Sequence, residues 1–234
     1  VLNKGRAGLA VVTGSAGSIG QAIATKLLDA GWEVTGLDLG PPSVRHDRYR
    51  HISVDLCDEQ ASRPIIDGLR GVRALVHAAG MLRVGRLDQM VISDGQRMWR
   101  LHVDAAARMV QALVPPMCEQ QDGRVVLIGS RVAQGMPGRS QYAASKAALV
   151  ALARSWASEV AAQGVTVNVV SPAATQTRML EDPARAASAP RVPPIGRFIQ
   201  PDEIAALVTF LLSPSAAAIT GQDIAICGGA SLPC

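Results

Sequence analysis

The sequence is poor in aromatic residues, in lysine and in long apolar runs, and its cysteines form no motif. Only 3% of its 234 residues are Phe, Trp or Tyr although 48% are hydrophobic, so the apolar content is mostly Ala, Val, Leu and Ile. No apolar run is long enough to span a bilayer, and the start carries no signal-peptide pattern. Val1 need not be the native start. Cys57, Cys118, Cys227 and Cys234 are widely spaced with no C-x-x-C, which suits reduced thiols and excludes a disulfide framework or a zinc site. A cytoplasmic protein with no metal is expected. Charge is scattered, at a net +4 with no block of one sign, so neither nucleic acid nor a membrane is an expected partner. The basic excess is mostly arginine.

What the sequence does contain is a regular alternation of apolar strands and helical patterns. Strands are predicted over Leu9–Thr13, Trp32–Leu37, His51–Val54, Val72–His77, Arg124–Ile128, Val165–Val170 and Asp223–Cys227. Between them, helices are predicted over Gln21–Ala30, from about Asp94 to Cys118 with a stop near Pro115-Pro116, over Tyr142–Gln163 and over Asp202–Leu212. Runs such as Val125-Val126-Leu127-Ile128 suit strands buried on both faces. The alternation predicts one α/β domain spanning 1–234, built on a doubly wound parallel sheet of about seven strands with helices on both faces. The Ala-, Arg- and Pro-rich patch Glu181–Pro194 lies between a strand and a helix, the usual place for a mobile lid.

Thr13-Gly14-Ser15-Ala16-Gly17-Ser18-Ile19-Gly20 joins the first strand to the first helix. Glycines there permit a tight turn and a close approach of backbone to a pyrophosphate, which the helix N-terminus then attracts. Asp38 ends the second strand, 18 residues after Gly20. A carboxylate at that place accepts hydrogen bonds from an adenosine ribose and repels a 2′-phosphate. Leu39-Gly40-Pro41-Pro42 follows it, without arginine, so the expected cofactor is NAD rather than NADP. Asp55, after the third strand, is placed either at the adenine edge or as the cap of the next helix.

Tyr142-Ala-Ala-Ser145-Lys146 opens the longest helical pattern. Residues four apart share a helix face. An ammonium beside a phenol favours phenolate, and such a phenol can trade a proton with an alcohol or carbonyl oxygen near neutral pH.

Jointly these pieces resemble the short-chain dehydrogenase/reductase family from Leu9 to Gly229, in Thr13-Gly14-x-x-x-Ser18-Ile19-Gly20, Ala78-Ala79-Gly80, Ser130, Tyr142-x-x-x-Lys146, Pro172 with Thr177, and Gly228-Gly229. The resemblance implies a single-domain Rossmann fold, with a dinucleotide-binding part over about 7–130 and a substrate lid over about 178–200. It implies Tyr142 as catalytic acid/base, Lys146 as its partner and ribose ligand, and Ser130 as the group that orients the substrate oxygen. Gly14, Ser18, Ile19, Gly20, Ala79, Gly80 and Pro172 are expected along the cofactor, and Thr177 near its carboxamide. The departures are Ser18 for the family's middle loop glycine, His77-Ala78 for Asn-Asn, Ala173 for glycine, and His102 where the tetrad asparagine falls. His102 is expected either to take that asparagine's water, with a place in proton relay, or to fill its space. Ser130 lies 12 residues before Tyr142 where 13 is usual, with Gly129 at the usual place. Ser130 is chosen because glycine has no hydroxyl.

Loops after the fourth to sixth strands should surround the nicotinamide. They carry Arg83, Arg131, Arg139 and Arg178, with Arg185 and Arg191 on the lid and Met81, Leu82, Met136, Met179 and Leu180 as apolar lining. Arg83, Arg139 and Met179 are the expected substrate contacts, for a small alcohol or ketone with an anionic or polar group. The run Ala74–Gly85 is similar to that of dihydrodihydroxybenzoate dehydrogenases, whose cyclic diols form the alternative substrate class. Acyl-carrier-protein ketoreductases share the general pattern but usually prefer NADP. A non-catalytic NAD-binding regulator on the same fold is the other alternative. Excess Ala, Val and Leu on Asp94–Met117 and Tyr142–Gln163 leads us to expect a homotetramer or homodimer.

Overall fold

Strands that are apolar on consecutive residues must bury both faces, and the computed structural model, which describes residues 8–181 and 190–232, shows how they do so. The chain runs β1 (Leu9–Thr13), α1 (Ser18–Asp29), β2 (Glu33–Asp38), β3 (Tyr49–Ser53), α2 (Glu59–Gly68) and β4 (Val72–His77). It continues through α3 (Ile92–Trp99), a π-helical turn (Arg100–Asp104), α4 (Ala105–Glu119), β5 (Gly123–Ile128), α5 (Ser140–Val160), β6 (Val165–Pro172), α6 (Pro201–Leu211) and β7 (Asp223–Ile226). The strands form one sheet in the order β3-β2-β1-β4-β5-β6-β7. Every neighbouring pair is parallel. Among the described residues no helix is long and apolar enough to cross a membrane.

Alternation along each strand divides the core into two layers. Val11 of β1 and Leu75 of β4 join Met109, Leu113, Leu149 and Ala153 of α4 and α5 on one face. Ala10, Val12 and Val76 join Ile23, Leu27, Ile204 and Val208 of α1 and α6 on the other. The order reverses between β1 and β4, where the chain crosses from one half of the sheet to the other. The carboxyl ends of those two strands therefore open a crevice.

Several local readings change. The sequence implies helix α2 only as the next helix for Asp55 to cap, without bounds of its own. It is short, carries Pro64, holds few apolar residues and buries only Ser62 and Ile66. The long helix does not stop at Pro115-Pro116 but runs through them to Glu119. Both prolines are exposed, and so is Gln111. The carbonyls that lose an N–H partner to the pyrrolidine rings thus lie on the solvent side. The same long helix widens into the π-helical turn at Arg100–Asp104. Much of the expected lid, residues 182–189, falls outside the described residues.

Two glycines fix how tightly the crevice closes. Gly14 has φ +67°, and a Cβ there would lie 2.7 Å from the backbone of Ala79. A Cβ on Gly20 would lie 2.1 Å from the Gly14 carbonyl oxygen. Gly20→Ala is expected to lower the free energy of unfolding by about 1–3 kcal/mol, because backbone has to move. Gly68, at the end of α2, has nothing within 4 Å of a built Cβ. Gly68→Ala is expected to raise stability by about 0.4–1 kcal/mol through the unfolded chain. Urea denaturation of the two variants reads the contrast, and equal effects would contradict it.

Candidate active site

The turn after β1 shapes the nucleotide end of a cavity of about 1320 Å³ that runs along the carboxyl edge of the sheet. The Gly14 N–H is held by the Leu37 carbonyl at 2.8 Å, and the Gly17 N–H by the Gly14 carbonyl at 3.0 Å. Helix α1 then starts with no side-chain cap and no acidic residue in its first turn. Its leading N–H groups face the cavity as donors for an anion. Gly14, Ser18, Ile19 and Gly20 all line it. Asp38 stands beside this turn with Oδ2 on the Ala16 N–H at 2.9 Å and Oδ1 on the Gly40 N–H at 2.8 Å. An uncapped helix start, a turn that admits no Cβ and a pinned carboxylate together fit the phosphates and ribose of a dinucleotide. Asp55 also lines the cavity, with Oδ1 on the Cys57 N–H at 2.8 Å. It does not cap α2; Asp58 does, through the Ala61 N–H at 3.1 Å.

Sequence reasoning missed Tyr49, whose hydroxyl donates to Ser15 Oγ at 3.1 Å and braces the turn from β3. It also missed a chain of polar contacts that begins at Thr13. Thr13 Oγ1 accepts from the N–H groups of Ala78 and Ala79 at 3.1 and 3.0 Å. Its hydrogen goes to His77 Nδ1 at 2.9 Å, which leaves His77 Nε2 to donate to the Leu101 carbonyl at 3.1 Å. Leu101 lies in the π-helical turn, and so does the next residue, His102. His102 Nε2 accepts from the Met81 N–H at 3.0 Å, so its proton is on Nδ1, which donates to Ser145 Oγ at 2.9 Å. Ser145 in turn donates to the Tyr142 carbonyl at 2.8 Å. The available signal was faint: a hydroxyl at a strand end and a serine inside the Tyr142–Lys146 motif.

Both rings are buried, His77 at 1% and His102 at 0% exposure. Burial, with the Lys146 charge next, pushes His77 down to about 3 and His102 well below the ordinary imidazole value. Both nitrogens of His102 are engaged by protein groups, so the neutral ring ties the loop after β4 to helix α5.

Lys146 is 4% exposed and donates from Nζ to the Ile128 carbonyl at 2.8 Å. Burial lowers its pKa to about 7. Nζ lies 5.9 Å from the centre of the Tyr142 ring, and the His102 ring meets that ring edge-on at 5.6 Å. A Cβ on Gly80 would reach His102 Nε2 at 3.3 Å and Lys146 Nζ at 3.6 Å, so glycine keeps the approach open. Ser130, Tyr142 and Lys146 all line the cavity, as do Ala79, Pro172 and Thr177. Ser130 Oγ accepts from the Val132 N–H at 3.2 Å at the start of a short 3-10 turn. Gly129 packs inward, since a Cβ there would lie 2.6 Å from Ser171 Oγ and from a Val169 methyl. The hydroxyl at the cavity is thus that of Ser130.

The expected substrate contacts separate. Arg139 is buried and lines the cavity. Arg83 is exposed, donates to its neighbour's carbonyl, that of Leu82, at 3.1 Å, and is absent from the cavity wall. The expectation that Arg83 edges the cleft is corrected accordingly. The Met179 side chain lies outside the described residues.

The two buried histidines make a pH-dependent contribution with a definite sign. The unfolded His77 titrates near 6.5 and the folded one near 3, so acid favours the unfolded chain. The stability held by the neutral ring is complete above about pH 6.5 and is lost as pH falls toward 3. His77→Asn keeps a donor and an acceptor without a titrating proton. Its melting temperature is expected to fall less steeply than the wild type's between about pH 6.5 and 4. Parallel curves by circular dichroism would contradict this role.

The description "Enoyl-(Acyl carrier protein) reductase" belongs to the family model that matches residues 14–231. The chain is 34% identical over 235 residues to the 3-oxoacyl-[acyl-carrier-protein] reductase FabG of Vibrio cholerae, covering 94% of this chain and 96% of that protein. It is 34% identical over 238 residues to the 2,3-dihydro-2,3-dihydroxybenzoate dehydrogenase of Escherichia coli, with the same coverage of 94% and 96%. Among solved structures, a short chain dehydrogenase/reductase family protein superposes with a TM-score of 0.85 at 31% identity, over 96% of this chain and 97% of that one. The ligand-free aldohexose dehydrogenase of Thermoplasma acidophilum gives 0.89 at 27% identity, over 98% and 96%. Likeness over nearly the whole length, in sequence and in fold, places this chain in the short-chain dehydrogenase/reductase family.

Proposed function

We propose that the protein is an NAD-dependent oxidoreductase that interconverts a secondary alcohol and a ketone. The observation that carries the reading is one cavity with a pinned carboxylate and an uncapped helix start at one end and Ser130, Tyr142 and Lys146 at the other. The relatives named above support the reaction class. A bound nicotinamide supplies the hydride acceptor or donor, and the chain's own residues do the rest. Tyr142 gives or takes the proton of the substrate oxygen. Lys146, held on the Ile128 carbonyl, sets the charge beside that phenol and binds the nicotinamide ribose. Ser130 orients the oxygen, and Thr177 with Pro172 bounds the carboxamide side. His102 keeps the backbone of Tyr142 and the loop at Met81 in register.

The preference for NAD rests on Asp38, whose two oxygens are both fixed by backbone N–H groups and cannot swing away from a 2′-phosphate. At the substrate end, Arg139, Arg131 and Arg191 join Met136, Leu180 and Val192 on the wall. Guanidinium forks beside apolar side chains suit a ketone or alcohol that carries a carboxylate or several oxygens. A cyclic dihydrodiol is the second substrate class, supported by the Escherichia coli relative and by the likeness of the loop Ala74–Gly85. Half-buried Ala107 on α4 and Ala147, Ala148 and Leu152 on α5, with exposed Ala144 and Ala151, suit pairing in a homodimer or homotetramer.

Tyr142→Phe is expected to bind NADH as the wild type does and to lose turnover by a factor on the order of a thousand. A panel of secondary alcohols, dihydrodiols and 3-oxoacyl thioesters supplies the substrates, and a variant that retains most activity removes Tyr142 from the proton step. Wild-type kcat/KM is expected to favour NAD over NADP by about tenfold or more, and Asp38→Ala to narrow that gap. Equal use of both cofactors by the wild type would sink the NAD assignment.

A further inference from the structure

Arg178 reaches across the crevice to the opposite wall. It follows β6 and opens a short 3-10 turn, Arg178–Glu181. Its Nη2 donates to the Ala16 carbonyl at 2.5 Å, and its backbone N–H approaches Ser18 Oγ at 3.4 Å. Ala16 is the residue whose N–H holds Asp38. One residue of the turn after β1 thus carries a carboxylate at its N–H and a guanidinium at its carbonyl. Among the side chains the structure describes, which exclude that of Glu181, no carboxylate lies within ion-pair distance of Arg178. The guanidinium spends one of its five donors on a neutral carbonyl.

The surroundings select the charge of a better partner. Helix α1 makes its first internal bond from the Gln21 N–H to the Gly17 carbonyl at 2.8 Å. The N–H groups of Ser18, Ile19 and Gly20 precede that bond and have no intrahelical acceptor. Ser18, Ile19, Gly20 and Arg178 all line the same cavity. A phosphate oxygen is a stronger acceptor for a guanidinium than a carbonyl is, and two oxygens match its fork. The position favours the bridging pyrophosphate over a 2′-phosphate. Arg178 sits at the carbonyl and Ser18 side of the turn, whereas a 2′-phosphate would have to lie against Asp38.

We propose that Arg178 is a ligand of the cofactor's pyrophosphate, supplied from the segment after β6, which exchanges the Ala16 carbonyl for a phosphate oxygen. The assignment rests on the dinucleotide reading above. It gives the site a cation that the glycine-rich turn itself lacks, in place of one drawn from that turn.

The test is calorimetric binding to Arg178→Met and Arg178→Lys, with NADH, ADP-ribose and NADPH as titrants and adenosine measured by competition. Arg178 is exposed, so the variants are expected to fold, and their melting curves check this. Arg178→Met is expected to weaken NADH and ADP-ribose by about tenfold or more, the scale of a lost charged hydrogen bond. Adenosine affinity stays unchanged, the salt dependence of NADH binding becomes shallower, and Arg178→Lys recovers part of the loss. Unchanged NADH affinity overturns the assignment. An equal loss for adenosine also overturns it, because it would mean a deformed turn. A loss confined to NADPH overturns it in favour of a 2′-phosphate ligand. Wild-type protein that binds neither dinucleotide overturns the functional reading and this assignment with it, whereas tight wild-type binding with an equally tight Arg178→Met overturns this assignment alone.

Discussion

The hydroxyl of Thr13 sits at the joint on which the site depends. The reversal of strand order between β1 and β4 opens a crevice there, and the Thr13 oxygen pins the loop after β4 across it by two backbone N–H groups. Gly14 can then touch the backbone of Ala79, which a Cβ would forbid. From Thr13 the hydrogen bonds run through His77 to the π-helical turn. One residue later they leave through His102 and Ser145 for the backbone of Tyr142. The turn after β1, the loop after β4 and helix α5 are joined by a buried polar chain in which each nitrogen of His77 and His102 is partnered. Such a chain is rigid while complete and costly when one member is removed.

Neutral histidines suit this chain because Lys146 lies beside them. A neutral imidazole offers one donor and one acceptor, the minimum that a carboxamide offers, and adds no charge. Protonated rings would lose their acceptors and face an ammonium in a medium that screens it poorly. Burial and the Lys146 charge hold both rings neutral. Histidine can therefore stand at 77 and 102, where the family resemblance leads one to expect asparagine, without adding a second charge beside Lys146.

Arginine dominates the remaining charge, and its geometry sorts the cations that matter from those that do not. Arg83 turns back onto its own neighbour's carbonyl and leaves the cleft. Arg178 crosses to the turn after β1, and Arg139 is buried in the cavity wall. In the sequence all three are loop arginines after a strand end. Only the path of each loop separates them.

Local repetition makes the fold legible in the amino-acid order. Apolar runs must bury both faces, a glycine turn after the first strand must approach something closely, and Tyr142 and Lys146 four apart must share a helix face. These follow from bond geometry and solvent exclusion within a few residues of chain, so the sequence by itself determines them. The bounds of helix α2 escaped because it is short, contains a proline and holds few apolar residues. The helix through Pro115-Pro116 escaped because only the folded core shows which side of it meets water. Tertiary structure alone decided that His77 and His102 serve one polar chain, that Asp58 frees Asp55 from capping, and that Arg178 meets Ala16. Each of those depends on where distant segments come to rest, and no hydrogen bond between residues 162 positions apart is specified until the sheet between them has closed.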